Sequence, residues 1–170
     1  DVYKRQTAFN AKLLPLRVLG KCGGYMSDIA DAIVGASGGK VTGVPANPNP
    51  ATVINLSLGG YGSCSTIIGN AITGAVTRGT AVVVAAGNSN MDVATSMPAN
   101  CANVIAVAAT TSAGAKASFS NFGKGVDIAA PGQAIISTLN SGTTVPANPA
   151  YAVYSGTSMA APHVAGVVAL

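Results

Sequence analysis

The chain is poor in the residues on which most protein chemistry relies. Its 170 residues include one histidine, no tryptophan, three cysteines and only 8% charged side chains. One histidine and three cysteines in no metal-ligand spacing exclude a zinc site. The Lys and Arg behind the +4 net charge are scattered and aromatics are few, so no basic stripe exists to bind nucleic acid. Long hydrophobic runs are missing as well. The longest, "AVVVAA" (81–86) and "VIAVAA" (104–109), fall far short of the roughly 20 residues that cross a bilayer, and no membrane association is expected. Phosphate-binding loops are absent. "GASGGKV" (35–41) has three residues where a P-loop has four and Val41 in place of Ser or Thr, and "VLGKCGG" is not GxGxxG.

What remains is 49% hydrophobic and long enough for one domain with a real core. The short apolar runs suit buried parallel strands, which are apolar on both faces and do not alternate. "AKLLPLRVLG" (11–20), "TVINLSL" (52–58), "AVVVAAGN" (81–88), "NVIAVAATT" (103–111) and "GVDIAAPG" (125–132) read as strands. "SDIADAIVGASGG" reads as a helix capped by Ser27, and "STIIGNAITGAVTRG" (65–79) as a second. "AIISTL" and "AYAVYSG" lead into a final helix that starts near Thr157 or Ser158. Strands alternating with helices at this spacing predict a parallel α/β sheet. Each cysteine sits in a Gly-, Ser- or Asn-rich loop, which points to disulfides and an oxidising compartment, with one cysteine left over.

The chemistry gathers in "SGTSMAAPHVAG" (155–166). His163 follows Ser158 by five positions, about 140° around a helix of 3.6 residues per turn, so it cannot be the base of that serine. It is expected to be a packed, hydrogen-bonded core residue. "SGTSMA" is not the GxSxG elbow either, because Ala160 takes the last position.

Three predicted strand ends, "SLGG" (57–60), "AAGN" (85–88) and "GTSMAAP" (156–162), together with "NFGKGVDIAAPG", resemble the subtilisin family of serine proteases over residues 7 to 170. The resemblance is greatest to secreted bacterial members with loop cysteines. It implies a three-layer α/β/α fold with a mostly parallel sheet, truncated at both ends, and a monomeric, extracellular serine endopeptidase. Ser158 matches the nucleophile and Asn88 the side-chain donor of the oxyanion hole. Ser57, Leu58 and Gly59 match one wall of the pocket for the residue before the scissile bond, and Ala85, Ala86 and Gly87 the other. Gly23 and Gly24 match the strand that pairs with substrate further upstream. Thr95 and Ser96 are expected near a neutral pocket floor. Asn88 argues against the related sedolisins, which use an Asp there. His163 matches a structural histidine of the family signature.

The family's catalytic Asp and His motifs precede the first strand seen here, and no "DTG"-like or "HGT"-like segment occurs. Residues 7–170 are therefore expected to be the C-terminal part of a peptidase domain, inactive alone. The alternative is a catalytically dead relative that binds peptides. Proteins or peptides are the expected substrates, and a prodomain the expected partner of the parent. No cofactor is expected in this segment; the resemblance allows calcium in the full-length parent, the family's strongest site drawing on upstream residues absent here. Asp127 is read as a solvated strand-end carboxylate, with a weak cation site as the alternative. The polar start "DVYKRQ" (1–6) back-translates to a transposon end used in shotgun sequencing libraries and is expected to be a library scar. Cys22 and Cys64, in loops after strands expected at the same sheet end, are expected to form a disulfide, leaving Cys101 unpaired. The family's Asp-bearing strand lies between the strands matching residues 12–19 and 52–58, so these two segments are expected to stand apart by a strand's width or to pair non-natively.

Overall fold

The computed structural model describes residues 7–170; residues 1–6, expected to be a library scar, lie outside the described residues. In chain order the elements begin with α1 (Met26–Ala36), β1 (Val53–Leu56), β2 (Gly60–Tyr61), α2 (Thr66–Thr77) and β3 (Ala81–Ala85). They continue with a 3-10 turn (Val93–Thr95), β4 (Ser96–Met97), β5 (Ile105–Thr110) and β6 (Ile128–Pro131). Last come β7 (Ile135–Asn140), β8 (Pro149–Tyr154) and α3 (Thr157–Val168).

The central sheet has the order β1-β3-β5-β6 and is parallel throughout, with Ile54 beside Val82, Val84 beside Ala106 and Ala108 beside Ala129. The run at 81–86 shows why an unalternating apolar sequence suits this place. Val82, Val84 and Ala86 join the core that includes α1 and α2, while Val83 and Ala85 face Ala160, Ala161 and Val164 of α3. Both faces are covered, which gives three layers. β2 pairs antiparallel with β4, and β7 with β8 as a hairpin ahead of α3.

Two local expectations need correction. Ser27 does not cap α1: the helix starts two residues earlier than that cap implies, Tyr25 is its cap position, and the Ser27 hydroxyl lies 3.4 Å from the Asp28 carboxylate. α2 does carry its serine cap, with Ser65 Oγ accepting the Ile68 N–H at 3.3 Å. Residues 11–19 form no strand. A strand needs a neighbour's backbone to bond, and between this segment and β1 lies a cleft of about 890 Å³. Leu13, Leu16 and Leu19 line one side and Ile54 and Leu56 the other. β1 is accordingly an edge of the sheet. Of the two arrangements expected for these segments, the chain adopts the separated one.

Candidate active site

The carboxyl ends of β1 and β3 are adjacent, since these strands pair in parallel, and α3 starts above them. Sites in open α/β sheets form at such strand ends. The three segments singled out in the sequence meet here.

Ser158 is the second residue of α3, in the first turn, where backbone N–H groups have no partner within the helix and the dipole favours negative charge. Its hydroxyl donates to the Ser57 carbonyl at 3.3 Å, and the Ser57 hydroxyl donates back to the Ser158 carbonyl at 2.9 Å. That second bond depends on Pro162. A residue four positions after Ser158 would normally donate its N–H to this carbonyl, and proline has none. The freed oxygen accepts Ser57 instead. Asn55 Nδ2 in turn donates to Ser57 Oγ at 2.9 Å, while Asn55 Oδ1 is buried without a partner in a residue that lines the cleft beside β1.

Asn88 follows β3 and meets α3 through Thr157, which is fully buried. The Thr157 N–H and hydroxyl both donate to Asn88 Oδ1, at 2.8 and 2.9 Å, and the Gly87 N–H donates to the Thr157 hydroxyl at 3.1 Å. Two donors on Oδ1 fix the orientation of the amide and leave Nδ2 as its donor side. Nδ2 lies 3.3 Å from where a β-carbon on Gly156 would stand, so a glycine keeps the space between this amide and the serine open. The result is a nucleophile-type hydroxyl, an N–H at a helix start and an oriented amide around one gap. This arrangement can stabilise an oxyanion formed when a hydroxyl attacks a carbonyl.

Among the described residues Ser158 Oγ has the Ser57 carbonyl, not a base, as its hydrogen-bond acceptor. His163, the one histidine of the sequence, has Nδ1 2.8 Å from the Met159 carbonyl, as its position five residues on requires. Gly59 packs against β4, where an added β-carbon would meet the Met97 carbonyl at 2.9 Å. Ser96, also on β4, and Thr95 are anchored by the Asn121 amide and the Asp92 carbonyl respectively. Gly23 and Gly24 are not brought into this cluster. Gly20 and Gly23 exchange backbone hydrogen bonds at 2.8 and 3.3 Å in a tight turn, with Gly23 at φ +98° and Gly24 against the Val18 carbonyl.

The disulfide differs from the expectation. Cys64 bonds Cys101, with Cα atoms 5.0 Å apart, and Cys22 is the exposed free thiol. The cause is the turn 96–101. The Asn100 N–H donates to the Ser96 carbonyl at 2.9 Å and its Nδ2 to the Gly62 carbonyl at 2.8 Å, folding Cys101 back beside Cys64. Asp127 is engaged with the sheet, its Oδ2 accepting the Ala106 N–H at 2.8 Å. Among the described residues no three His, Cys, Asp or Glu side chains converge. Thr157, Pro162 and Asn121 escaped the sequence reading. Pro162 alone left a signal, since a proline inside a helix marks a free carbonyl four residues earlier.

A parallel sheet between helical layers, with hydroxyl, amide and helix-start N–H gathered at its carboxyl edge, defines an α/β protein of the strand-end-site class. Comparison gives the family. The subtilase family profile matches residues 4–170, and the chain belongs to that family. It is 73% identical over 164 residues to an extracellular protease of Xanthomonas campestris pv. campestris, covering 96% of this chain and 28% of that protein. It is 50% identical over 163 residues to an extracellular basic protease of Dichelobacter nodosus, covering 96% of this chain and 27% of that protein. A solved structure of a protease from Pseudoalteromonas arctica superposes with a TM-score of 0.95 at 54% identity, covering 96% of this chain and 51% of that one. The chain thus spans about half of the solved relative and little more than a quarter of the curated ones.

Proposed function

We propose that residues 7–170 are the C-terminal part of the peptidase domain of a secreted serine endopeptidase, and that residues 1–6 are a library scar. Ser158 Oγ attacks the scissile carbonyl carbon, giving up its proton to a base supplied from outside this segment. The resulting oxyanion accepts hydrogen bonds from Asn88 Nδ2 and the Ser158 N–H. Collapse of the tetrahedral intermediate breaks the C–N bond, with the amine leaving protonated, and forms an acyl-enzyme on Ser158 that water hydrolyses. An extended substrate pairs with Ser57–Leu58–Gly59 and Ala85–Ala86–Gly87 by strand addition. Gly23 and Gly24 extend that pairing upstream once the turn 20–24 is seated by the rest of the protein. A neutral pocket floor at Thr95 and Ser96 accepts an uncharged side chain.

The observation that carries this reading is the Asn88 amide, held through Oδ1 by Thr157 with Nδ2 facing the gap at Gly156 beside Ser158. The relatives named extracellular proteases support secretion, and no helix of the described residues is long and apolar enough to cross a membrane. The test is casein hydrolysis by the full-length protein and by residues 7–170 alone. Full-length activity abolished by Ser158→Ala, with none in the segment, is expected. Peptide binding without cleavage by the full-length protein would identify a catalytically dead binding module instead. Cleavage by the isolated segment that disappears with Ser158→Ala would overturn the external base.

A further inference from the structure

The backbone from which Asn88 projects is held by a residue far along the chain. Asn121, in the turn after Phe119, is 1% exposed, and both ends of its amide are fully used. Oδ1 accepts the N–H groups of Ser89 and Met91 at 2.9 and 3.1 Å. Nδ2 donates to the Ala86 carbonyl at 2.9 Å and to Ser96 Oγ at 2.7 Å. The Asn121 backbone N–H donates to the Gly87 carbonyl at 2.9 Å. One residue therefore brackets positions 86 to 91, with Asn88 inside the bracket, and ties them to the floor at Ser96. The fit leaves no slack, since a β-carbon on Gly87 would collide with Asn121 Nδ2.

We infer that Asn121 is a positioning residue that sets the backbone of the oxyanion donor Asn88 and joins it rigidly to the floor of the substrate pocket. Thr157 orients the Asn88 side chain; Asn121 fixes the main chain beneath it. No hydrogen bond links Asn121 to Ser158, so it acts through Asn88. Oxyanion donors work only when held in place, and a misplacement of about 1 Å costs about 100-fold in rate. The floor link has a second consequence. A side chain that seats against Ser96 also seats Asn88, which couples substrate fit to kcat. The inference rests on the reading of Asn88 given above.

The experiment is a double-mutant cycle in the full-length enzyme, with kcat and KM measured on a chromogenic peptide. Asn121→Ser removes all four side-chain bonds and remains neutral. It is expected to lower kcat about 10-fold or more with KM changed less than about 3-fold, and to change kcat less than about 2-fold when Asn88→Ala is already present. Ser96→Ala takes one acceptor from Nδ2 and leaves Asn121 in place. It should give a smaller loss, about 3-fold, that also vanishes in the Asn88→Ala background, and it decides the matter if Asn121→Ser does not fold. Equal fold-losses in both backgrounds would overturn the inference, because a purely structural residue acts regardless of Asn88. Absence of Ser158-dependent hydrolysis in the wild type would instead overturn the protease reading, and the inference with it.

Discussion

Thr157→Val separates hydrogen bonding from packing at the centre of the site. Thr157 is fully buried, and valine has its shape, so the substitution opens no cavity. It removes the hydroxyl that donates to Asn88 Oδ1 at 2.9 Å and accepts the Gly87 N–H at 3.1 Å. Asn88 Oδ1 keeps the Thr157 N–H at 2.8 Å, so it is weakened but not orphaned. The Gly87 N–H loses its acceptor. A lost hydrogen bond costs about 1 kcal/mol and the half-buried Gly87 N–H left without its acceptor about 1 more, a destabilisation of about 2 kcal/mol. Thr157→Ser keeps both bonds and deletes one buried methyl, at a cost of about 1 kcal/mol. The assay is the urea midpoint of the full-length protein, in a Ser158→Ala background to prevent autolysis. The shape-preserving change should be the more damaging. Thr157→Ser destabilising as much as Thr157→Val would refute the hydrogen-bond account and leave packing as the explanation.

Denatured but unreduced chain of residues 1–170 should titrate one thiol, Cys22, and three after reduction; two blocked thiols that include Cys22 would contradict the Cys64–Cys101 bridge. Met159 has its sulfur 3.6 Å from where a β-carbon on Gly156 would stand, so its oxidation to sulfoxide by peroxide should lower the activity of the full-length enzyme. Met159→Ser should resist, and inactivation as fast as wild type would place the lesion elsewhere. Residues 1–170 alone, with the cleft beside β1 open and Leu13, Leu14, Leu16 and Leu19 about half exposed, should aggregate and bind hydrophobic dyes. Coincident, reversible two-state unfolding by circular dichroism and amide exchange would show the opposite.

The sheet was legible because parallel strands covered on both faces leave unbroken apolar runs, as at 81–86 and 104–109. Residues 11–20 carry the same kind of run, yet strand formation depends on a neighbour and not on composition. The pattern was read correctly as apolar and wrongly as a strand. Ser158 and Asn88 were singled out through a family resemblance, since each alone is an ordinary turn or cap residue. The cysteine pairing failed for a different reason. It is decided by the turn that Asn100 closes onto Gly62, and sheet-end arguments do not see turns. Thr157 and Asn121 went unseen because a buried polar side chain declares its partners only in three dimensions.

Ser57 and Ser158 hold each other across 101 positions of sequence. Contacts between residues so distant in the chain cost loop-closure entropy before they return anything, and folds rich in them form slowly. The hydroxyl proposed to cut peptides is thus seated only when β1 and α3 have met. During synthesis Ser57 leaves the ribosome long before Ser158, and through that interval the emerging chain holds no assembled blade. Until α3 has emerged, the two halves of the proposed site remain unjoined.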